Sequence, residues 1–401
     1  MHCEFPLDDG FYYVGGSDRR LALFENVYPL ENGVSYNSFL FLDDKTVLLD
    51  TVDQSISKVF FENVEHLLSG RALDYLIIDH MEPDHASTIA DLVLRHPETT
   101  LIMSAMASTM LKNFFPRLQA NIQTVTDGDS IFTGKRTFHF MTAQMVHWPE
   151  VIFTYEESTA TLFSADAFGT FGALSGNIIE DGSSFEKEHL SEARRYYANI
   201  VGKYGVNVSN ALVKASAFPF KRIAPLHGPI YEGNLSAILA YYGKWANYEP
   251  EDKEGVLIAY ASIYGGTENA AEIYANRLAK LGVKNIKMYD VSKTDSSYLV
   301  GESFRVRHIA LFSSSYNAGV FQKMEDYLTD LSHHLVKNRV FAVVENGSWA
   351  PSASRSIHAI IDSLPGVSFL PTTFTIKSTL KEDQLDLIEK LAAETLASLK
   401  A

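Results

Sequence analysis

Short alternations of apolar and polar residues run through the first fifty positions, and this pattern predicts β-strands joined by turns. The clearest examples are 11–14 and 47–50. Longer apolar stretches that end in polar residues predict buried strands at 73–79, 138–146, 160–164 and 222–226. A helical pattern covers 185–204. Strands mixed with helices in this way predict a layered α/β or α+β domain.

A more regular order follows in the second part of the chain. Apolar segments that predict strands alternate with helical patterns, and a final helix is predicted at 380–399. The predicted strands are 256–261, 285–289, 308–312, 340–344 and 368–370. This order predicts a five-stranded parallel sheet with helices on both faces, which binds ligands beyond the carboxyl ends of its strands.

The segment 246–255 separates the two patterns. It is acidic, contains Pro250 and lacks apolar periodicity, as linkers do. A chain of 401 residues also exceeds the size at which a single core usually stops growing. Two domains are therefore predicted, at 1–250 and 255–401.

The amino-acid composition excludes several kinds of site and partner. A single cysteine, Cys3, excludes an internal disulfide, a cysteine-ligated zinc and an iron–sulfur cluster. No apolar run approaches a membrane span, and the first residues lack the features of a signal peptide, so a cytoplasmic location is expected. The formal charge of −15 disfavours nucleic acid as a partner, and we interpret the acidic surface mainly as a source of solubility.

Seven possible metal ligands follow predicted strands. Four of them fall within six residues of one loop, and the other three follow separate strand ends. They are His80, Glu82, Asp84, His85, His147, Asp166 and His227. Each alone is typical of a structural residue, but all seven are expected on one face. Seven ligands are too many for one tetrahedral zinc and suit two ions that share a carboxylate, for which Asp166 is the candidate. Nitrogen and oxygen donors suit iron, manganese and zinc alike.

A phosphate-binding loop is predicted after the first strand of the second domain. Small and polar residues at 262–267 precede a helix, and the backbone N–H groups of such a loop bind phosphate. Two further loops follow the third and fourth strands, where Tyr316 and Trp349 could stack on a flavin ring. A GxGxxG fingerprint is absent, so NAD fits less well. The candidate cofactor-binding residues are Ser262, Ile263, Tyr264, Gly265, Gly266, Thr267, Ser313, Ser314, Ser315, Tyr316, Asn317, Gly347, Ser348 and Trp349.

The metal ligands in this order resemble the motif of the flavodiiron proteins. Eighteen residues separate His147 from Asp166, and sixty separate Asp166 from His227, as in that family. The segment Ser262-x-Tyr264-Gly265-x-Thr267 is similar to the FMN phosphate loop of flavodoxins. The resemblance implies a metallo-β-lactamase-like αββα sandwich followed by a flavodoxin-like, doubly wound, five-stranded parallel sheet. The chain resembles the minimal form of the family, without an added rubredoxin or flavin reductase module.

The same resemblance implies roles for these residues. His80, Glu82 and His147 would hold one iron, and Asp166 would bridge to a second iron. The ligands of that second iron would be Asp84, His85 and His227, although the counterpart of His85 does not coordinate in some members. Hydrolytic relatives have histidine where Glu82 stands, and the added negative charge favours iron redox chemistry. Tyr197 would lie near the substrate pocket, and Trp148 near the metals.

The implied activity is reduction of dioxygen to water, or of nitric oxide to nitrous oxide, with electrons relayed through FMN. A rubredoxin or a reduced deazaflavin would supply the electrons, and a head-to-tail homodimer or a dimer of dimers would bring FMN to the irons. Two alternatives stay open at this point. One is a zinc hydrolase with a flavodoxin-like passenger domain, and the other is an electron carrier that uses FMN alone.

Overall fold

The computed structural model describes residues 2–400, which form two compact units. The first unit takes in the chain up to Tyr197 together with Tyr204–Gly243. The second takes in Ala198–Lys203 and the chain from Lys244 onward. Within the described residues, no helix combines the length and the apolar character needed to cross a membrane.

The first part of the chain is rich in short strands. In chain order they are β1 (Phe5–Asp8), β2 (Phe11–Tyr13), β3 (Gly16–Asp18), β4 (Leu23–Phe24), β5 (Tyr28–Pro29), β6 (Val34–Tyr36), β7 (Phe39–Leu42), β8 (Thr46–Leu49), β9 (Tyr75–Ile77), β10 (Thr100–Met103), β11 (Asn121–Thr124), β12 (Ser130–Phe132), β13 (Thr137–Thr142), β14 (Ile152–Glu156), β15 (Thr161–Phe163), β16 (Ile179–Glu180), β17 (Arg222–Ala224) and β18 (Ile230–Glu232). The α-helices of this part are α1 (Ser57–Leu68), α2 (Pro83–Ala86), α3 (Ile89–Arg95), α4 (Ala105–Phe114), α5 (Leu190–Tyr196), α6 (Gly205–Ala215) and α7 (Ser236–Ala246).

Two large sheets of the first unit pack face to face. Their strand orders are β1-β2-β7-β8-β9-β10-β11 and β12-β13-β14-β15-β17-β18-β16. Alternate residues of each strand point into the space between the sheets. The ring of Phe41 lies 5.1 Å from that of Phe138 across this space, and Phe39 lies 5.1 Å from Phe163. Each of these fully buried rings contributes roughly 1.5–3 kcal/mol through removal from water.

The helix predicted at 185–204 consists of four successive helical segments. A π-helix at Phe185–His189 leads into α5, which is followed by a second π-helix at Tyr197–Val201 and a 3-10 turn at Gly202–Tyr204. A π-helix bonds i to i+5, so it shifts the side chains that follow it around the helix axis. The strand predicted at 138–146 is also shorter than expected, because β13 ends at Thr142.

The second unit has a parallel sheet with helices between its strands. The strands are β19 (Asp252–Ala261), β20 (Ile286–Asp290), β21 (Val306–Tyr316), β22 (Gly319–Val320), β23 (Val340–Asn346), β24 (Ser368–Phe369) and β25 (Phe374–Ile376). The helices are α8 (Gly266–Lys280), α9 (Ser296–Arg305), α10 (Gln322–His333), α11 (Ala353–Ile361) and α12 (Leu385–Leu399).

The order of this sheet is β20-β19-β21-β23-β24, and each neighbouring pair is parallel. The chain therefore reverses its direction of winding between β19 and β21. In doubly wound sheets, ligands bind at this switch point, beyond the carboxyl ends of the strands. Two short strands were not predicted: β22 pairs antiparallel with β21, and β25 extends the pairing of β23.

Candidate functional site

The seven predicted metal ligands all lie in segments that follow strands of the first unit. The loop after β9 carries His80, Glu82, Asp84 and His85, and the short helix α2 begins within it at Pro83. His147, Asp166 and His227 follow β13, β15 and β17 respectively. β15 is parallel to β17, and β13 runs the same way because both it and β15 are antiparallel to β14. The loops therefore leave the sheets at a common edge.

One group of donor atoms consists of His80, Glu82, His147 and Asp166. The Nε2 atoms of His80 and His147 lie 3.2 and 2.9 Å from Oε2 of Glu82. The same two nitrogens lie 3.4 and 3.0 Å from Oδ2 of Asp166. Three of these residues are buried, and His147 is partly buried.

The second group consists of Asp84, His85 and His227. Oδ2 of Asp84 lies 3.4 Å from Nε2 of His85 and 3.2 Å from Nε2 of His227. The two Nε2 atoms are themselves 3.0 Å apart. The other oxygen of Asp166, Oδ1, lies 3.3 Å from His85 Nε2 and 3.6 Å from His227 Nε2. Asp166 thus presents one oxygen to each group.

These separations match the chemistry of two ions that share a carboxylate. Protein nitrogen and oxygen donors bind such metals at about 2.0–2.2 Å, so neighbouring donors on one ion lie about 3.0–3.5 Å apart. The facing Nε2 atoms of His85 and His227 have the geometry of ligands directed at one point. The residues present therefore fit a two-metal centre.

The electrostatics of the group favour positive charge between the side chains. Burial alone raises the pKa of Asp166, but the charge of His80 and hydrogen bonds from His147 and His80 outweigh it and hold the pKa well below its usual range. Burial lowers the pKa of His147, yet Asp166 and Glu82 raise it to about 9. The ionised carboxylates thus favour positive charge beside them, which a metal cation can supply in place of the imidazole protons.

Buried hydrogen bonds orient two of the histidines. His80 donates from Nδ1 to Oε1 of Glu150 at 2.8 Å, and that oxygen also accepts the N–H of Met81 at 2.9 Å. His227 donates from Nδ1 to the carbonyl of Ser35 at 2.8 Å. These contacts leave each Nε2 free to face the ligand group. Sequence reasoning missed Glu150, although a carboxylate three positions after His147 in an otherwise apolar stretch was an available signal.

Two adjacent tyrosines at the end of α5 lie in different surroundings. The ring of Tyr196 is 5.6 Å from that of His227, and its buried hydroxyl has no hydrogen-bond partner among the described residues. Burial raises its pKa well above the usual range, and the charges of Asp166, Asp84 and Glu82 raise it further. Tyr197, the residue predicted from the sequence, packs its ring against Tyr242 at 5.0 Å. Tyr196 is therefore the tyrosine whose ring lies beside a candidate metal ligand.

Two more side chains border the ligand group. Trp148 packs edge-on against the ring of His80 at 5.4 Å, in the same unit as the metal ligands. Glu25 lies at the tip of the β4–β5 hairpin, and the charge of Glu82 acts on its carboxyl group. Burial of that carboxyl and the charge of Glu82 raise its pKa to about 8. The sequence analysis did not identify Glu25, because it lies far from the ligands along the chain.

A cleft of about 450 Å³ opens at the switch point of the second unit. Its walls come from the loops after β19, β21 and β23, together with two residues after β25. The lining residues are Ser262, Ile263, Tyr264, Gly266, Thr267, Ser314, Ser315, Tyr316, Asn317, Ala318, Asn346, Gly347, Ser348, Trp349, Ala350, Ser378 and Thr379. Twelve of the fourteen predicted cofactor-binding residues are among them, whereas Gly265 caps α8 and Ser313 is fully buried. The sequence analysis missed Ser378 and Thr379.

The floor of this cleft suits a phosphate group. Helix α8 begins at Gly266 without a side-chain cap, so its first N–H groups are open to an anion. The hydroxyl of Thr267 bonds to that of Ser314 at 2.9 Å, and Asn346 donates to Thr267 at 3.2 Å. A Cβ at Gly266 would lie 2.1 Å from the carbonyl oxygen of Ser378, so only glycine fits there.

The rim of the cleft is aromatic. Tyr264 and Trp349 are 98% and 89% exposed, and Tyr316 is half exposed. Large apolar side chains rarely stay so open to water unless a ligand or partner covers them. The cleft thus combines a phosphate-binding floor with aromatic faces, the combination that a flavin nucleotide requires.

Known proteins are similar to this chain in both sequence and fold. Residues 34–228 match the family model described as ODP family beta lactamase. A nitric oxide reductase of Moorella thermoacetica is 28% identical over 383 residues, which span 92% of this chain and 95% of that relative. A rubredoxin oxygen:oxidoreductase from Desulfovibrio gigas has the same fold, with a TM-score of 0.92 and 23% identity over 99% of both chains. A variant of the flavo di-iron protein from Thermotoga maritima gives a TM-score of 0.90 at 22% identity, over 99% of this chain and 98% of that one. Together these similarities support the flavodiiron protein family for this chain.

The structural likeness to flavodiiron proteins confirms the fold class that the motifs implied. The first unit is the metallo-β-lactamase-like sandwich, and the second is the flavodoxin-like sheet. Both the group of candidate metal ligands and the cleft of the second unit lie at loop ends of their respective sheets.

Proposed function

We propose that this chain is an oxidoreductase that reduces dioxygen to water, or nitric oxide to nitrous oxide, at a di-iron centre supplied with electrons by FMN. The observation that carries the proposal is the division of Asp166 between two donor groups, with Oδ2 beside His147 and Oδ1 beside His85. A shared carboxylate is the usual device for holding two ions in one site. The named activities of the Moorella and Desulfovibrio relatives support the same reaction class.

Each group would hold one iron. His80, Glu82 and His147 would bind the first, and Asp84, His85 and His227 the second. A carboxylate at position 82 adds negative charge to the first group, which favours the ferric state. When bound, the irons would supply redox electrons and open coordination positions to the gas, and FMN would pass them electrons one at a time.

The chain's own residues would position the irons and the substrate. Glu150 and the carbonyl of Ser35 fix the rings of His80 and His227 by hydrogen bonds. The hydroxyl of Tyr196 would donate a hydrogen bond to a small molecule beside His227. Burial of the surrounding side chains excludes water and so strengthens each of these polar contacts.

The flavin cleft would hold the FMN phosphate at the start of α8 and the ring between the aromatic side chains of its rim. Ser262 and Thr267 would contact the phosphate, while Tyr316 and Trp349 would contact the ring. Ser378 and Thr379 would also contact the cofactor, because they line the same cleft.

The electron donor and the assembly are also proposals. The name of the Desulfovibrio relative supports a rubredoxin as donor, and a reduced deazaflavin is the alternative. A head-to-tail homodimer would place the FMN of one subunit next to the irons of the other. A strictly monomeric protein with full turnover would contradict that arrangement.

Zinc hydrolysis is the less favoured alternative. It shares the sandwich fold, but it leaves the flavin cleft without a role and does not match the named activities of the relatives. An electron carrier that uses FMN alone would leave the clustered metal ligands without a role.

Anaerobic reduction followed by exposure to each gas tests the proposal. The purified protein, with iron and FMN measured beforehand, is reduced by a chemical donor and mixed with dioxygen or nitric oxide. We expect gas consumption with flavin reoxidation, and nitrous oxide as the product from nitric oxide. Stoichiometric zinc without iron would favour hydrolysis, and flavin bleaching without gas consumption would favour the electron carrier.

A further inference from the structure

A second cluster of metal-binding side chains lies near the amino terminus, and none of its members belongs to the di-iron group. It consists of His2, Glu4 and His66, whose nitrogen and carboxylate donor atoms all lie within 4.8 Å of one another. His2 and Glu4 lead into β1, and His66 lies in the last turn of α1. The three residues thus come from two elements that are far apart in sequence.

The three side chains of this cluster are in direct contact. The rings of His2 and His66 stack at a centroid distance of 3.5 Å with 8° between their planes, so one ring must rotate to direct a nitrogen of each toward a shared ion. Nε2 of His66 lies 3.6 Å from Oε1 of Glu4. The second carboxylate oxygen, Oε2, is buried and has no hydrogen-bond partner among the described residues. A buried carboxylate oxygen left without a partner is unfavourable, and a bound cation would satisfy it.

The backbone between the two amino-terminal ligands is anchored. The N–H of Cys3 donates to the side-chain oxygen of Asn63 at 2.8 Å. Asn63 is fully buried, and its amide nitrogen also donates to the carbonyl of Val14 at 3.0 Å. Asn63 precedes His66 by three residues on α1, so both side chains lie on one face of the helix. This anchor holds residues 2–4 against that face.

Charge and ligand type indicate a divalent transition metal. Two imidazoles and one carboxylate are donors that bind zinc, and a water molecule would complete the tetrahedral shell. The end of a helix carries partial negative charge, so a cation near the last turn of α1 is favoured. A magnesium or calcium ion would instead need more oxygen ligands than the cluster offers.

We propose that His2, Glu4 and His66 form a zinc site that clips the amino-terminal segment onto α1. The bound ion would use Oε2 of Glu4 and would tie β1 to the helix. Its role would be structural, because an ion that binds three ligands brought together only in the folded chain adds its binding free energy to the stability of that state.

Zinc binding to the purified protein, with its iron and FMN in place, tests this site. Calorimetry should show that wild type binds one more zinc ion per chain than His66→Ala does. The iron content should be the same before and after the titration. His66→Ala and His2→Ala should each weaken this additional binding by at least about tenfold, and Glu4→Gln should weaken it less. Zinc should also raise the melting temperature of wild type but not that of His66→Ala.

His139→Ala is the matched control, since His139 faces a single carboxylate, Glu157 at 3.4 Å, and belongs to no such cluster. It should bind zinc as wild type does. If wild type and His66→Ala take up equal amounts of zinc, or if His139→Ala loses as much as His66→Ala, the site does not exist. His66→Asn, with a circular dichroism spectrum like that of wild type, separates loss of the ligand from loss of the fold.

Discussion

His80 donates a hydrogen bond from Nδ1 to the carboxylate of Glu150 at 2.8 Å, and both side chains are completely buried. The bond fixes the imidazole so that Nε2 faces Glu82 and Asp166. Carboxylate partners of this kind set the ring orientation of a metal-binding histidine and increase its basicity. Glu150 is therefore a positioning residue for the metal centre.

Glu150→Gln should lower the affinity for iron by about 10–100-fold. The amide can still accept from His80, but it removes the negative charge that strengthens the ligand. Iron loss against a chelator measures this effect. Retention equal to that of wild type would show that the charge of Glu150 does not matter. Substitution of Glu157, an exposed carboxylate beside His139, should change nothing and serves as the control.

His147→Asn should abolish gas reduction while FMN remains bound. The substitution removes Nε2, which lies 2.9 Å from Glu82 and 3.0 Å from Asp166. Iron content, FMN content and gas consumption are measured on the same preparation. A variant that keeps both irons and normal turnover would contradict the assignment of His147 as a ligand.

Tyr196→Phe and Tyr197→Phe together decide which tyrosine serves the site. Tyr196→Phe should lower turnover about tenfold, which corresponds to ~1.4 kcal/mol of transition-state stabilisation. Its melting temperature should not fall, because the lost hydroxyl has no hydrogen-bond partner among the described residues. Tyr197→Phe should keep most of the activity, since that ring packs on Tyr242. A large loss of turnover in Tyr197→Phe but not in Tyr196→Phe would instead support Tyr197, the residue indicated by the sequence.

Gly266→Ala should weaken FMN binding by about tenfold or more, or ~1.4 kcal/mol. The added Cβ would lie 2.1 Å from the carbonyl oxygen of Ser378 and would displace a wall of the cleft. Gly319→Ala is the control, because its Cβ would meet only ordinary contacts beyond 3.6 Å. Fluorescence titration of the flavin-free protein gives both affinities. If both variants bind FMN with equal affinity, the phosphate does not bind at the start of α8.

The stability of the second unit should fall in mild acid because of His308. Burial, and then the charge of Arg307, lower its pKa to about 4, while an unfolded histidine titrates near ~6.5. Between these values the unfolded chain binds a proton that the folded chain does not. The free energy of unfolding therefore decreases as the pH falls through this window, by at most ~1.4 kcal/mol per pH unit.

His308→Gln removes this titration. Its side-chain amide can still reach Ser398, which His308 contacts at 2.8 Å. Urea midpoints at about pH 7 and pH 5 should therefore differ less for the variant than for wild type. An identical pH dependence in the two proteins would show that His308 does not contribute.

The sequence by itself predicted the strands that the candidate metal ligands follow, and the loop between a strand and a helix that is the candidate phosphate site. The strand predictions succeeded because a buried strand is an apolar run, and the polar residues directly after it lie at the strand's carboxyl end. His80, Asp166 and His227 could be assigned in this way, and the sheet with Thr267 at its switch point followed from the alternation of strands and helices.

Only the tertiary structure showed that four further residues border the two candidate sites, namely Glu150, Glu25, Tyr196 and Ser378. Glu25 and Ser378 are distant in sequence from the sites that they border, and a single sequence does not record such contacts. The choice between Tyr196 and Tyr197 depends on the π-helical segments around α5, which shift side chains around the axis and break the periodicity that would have assigned them. The sequence thus determined which polar residues follow the strands, and the folded chain decided which other side chains lie against those residues.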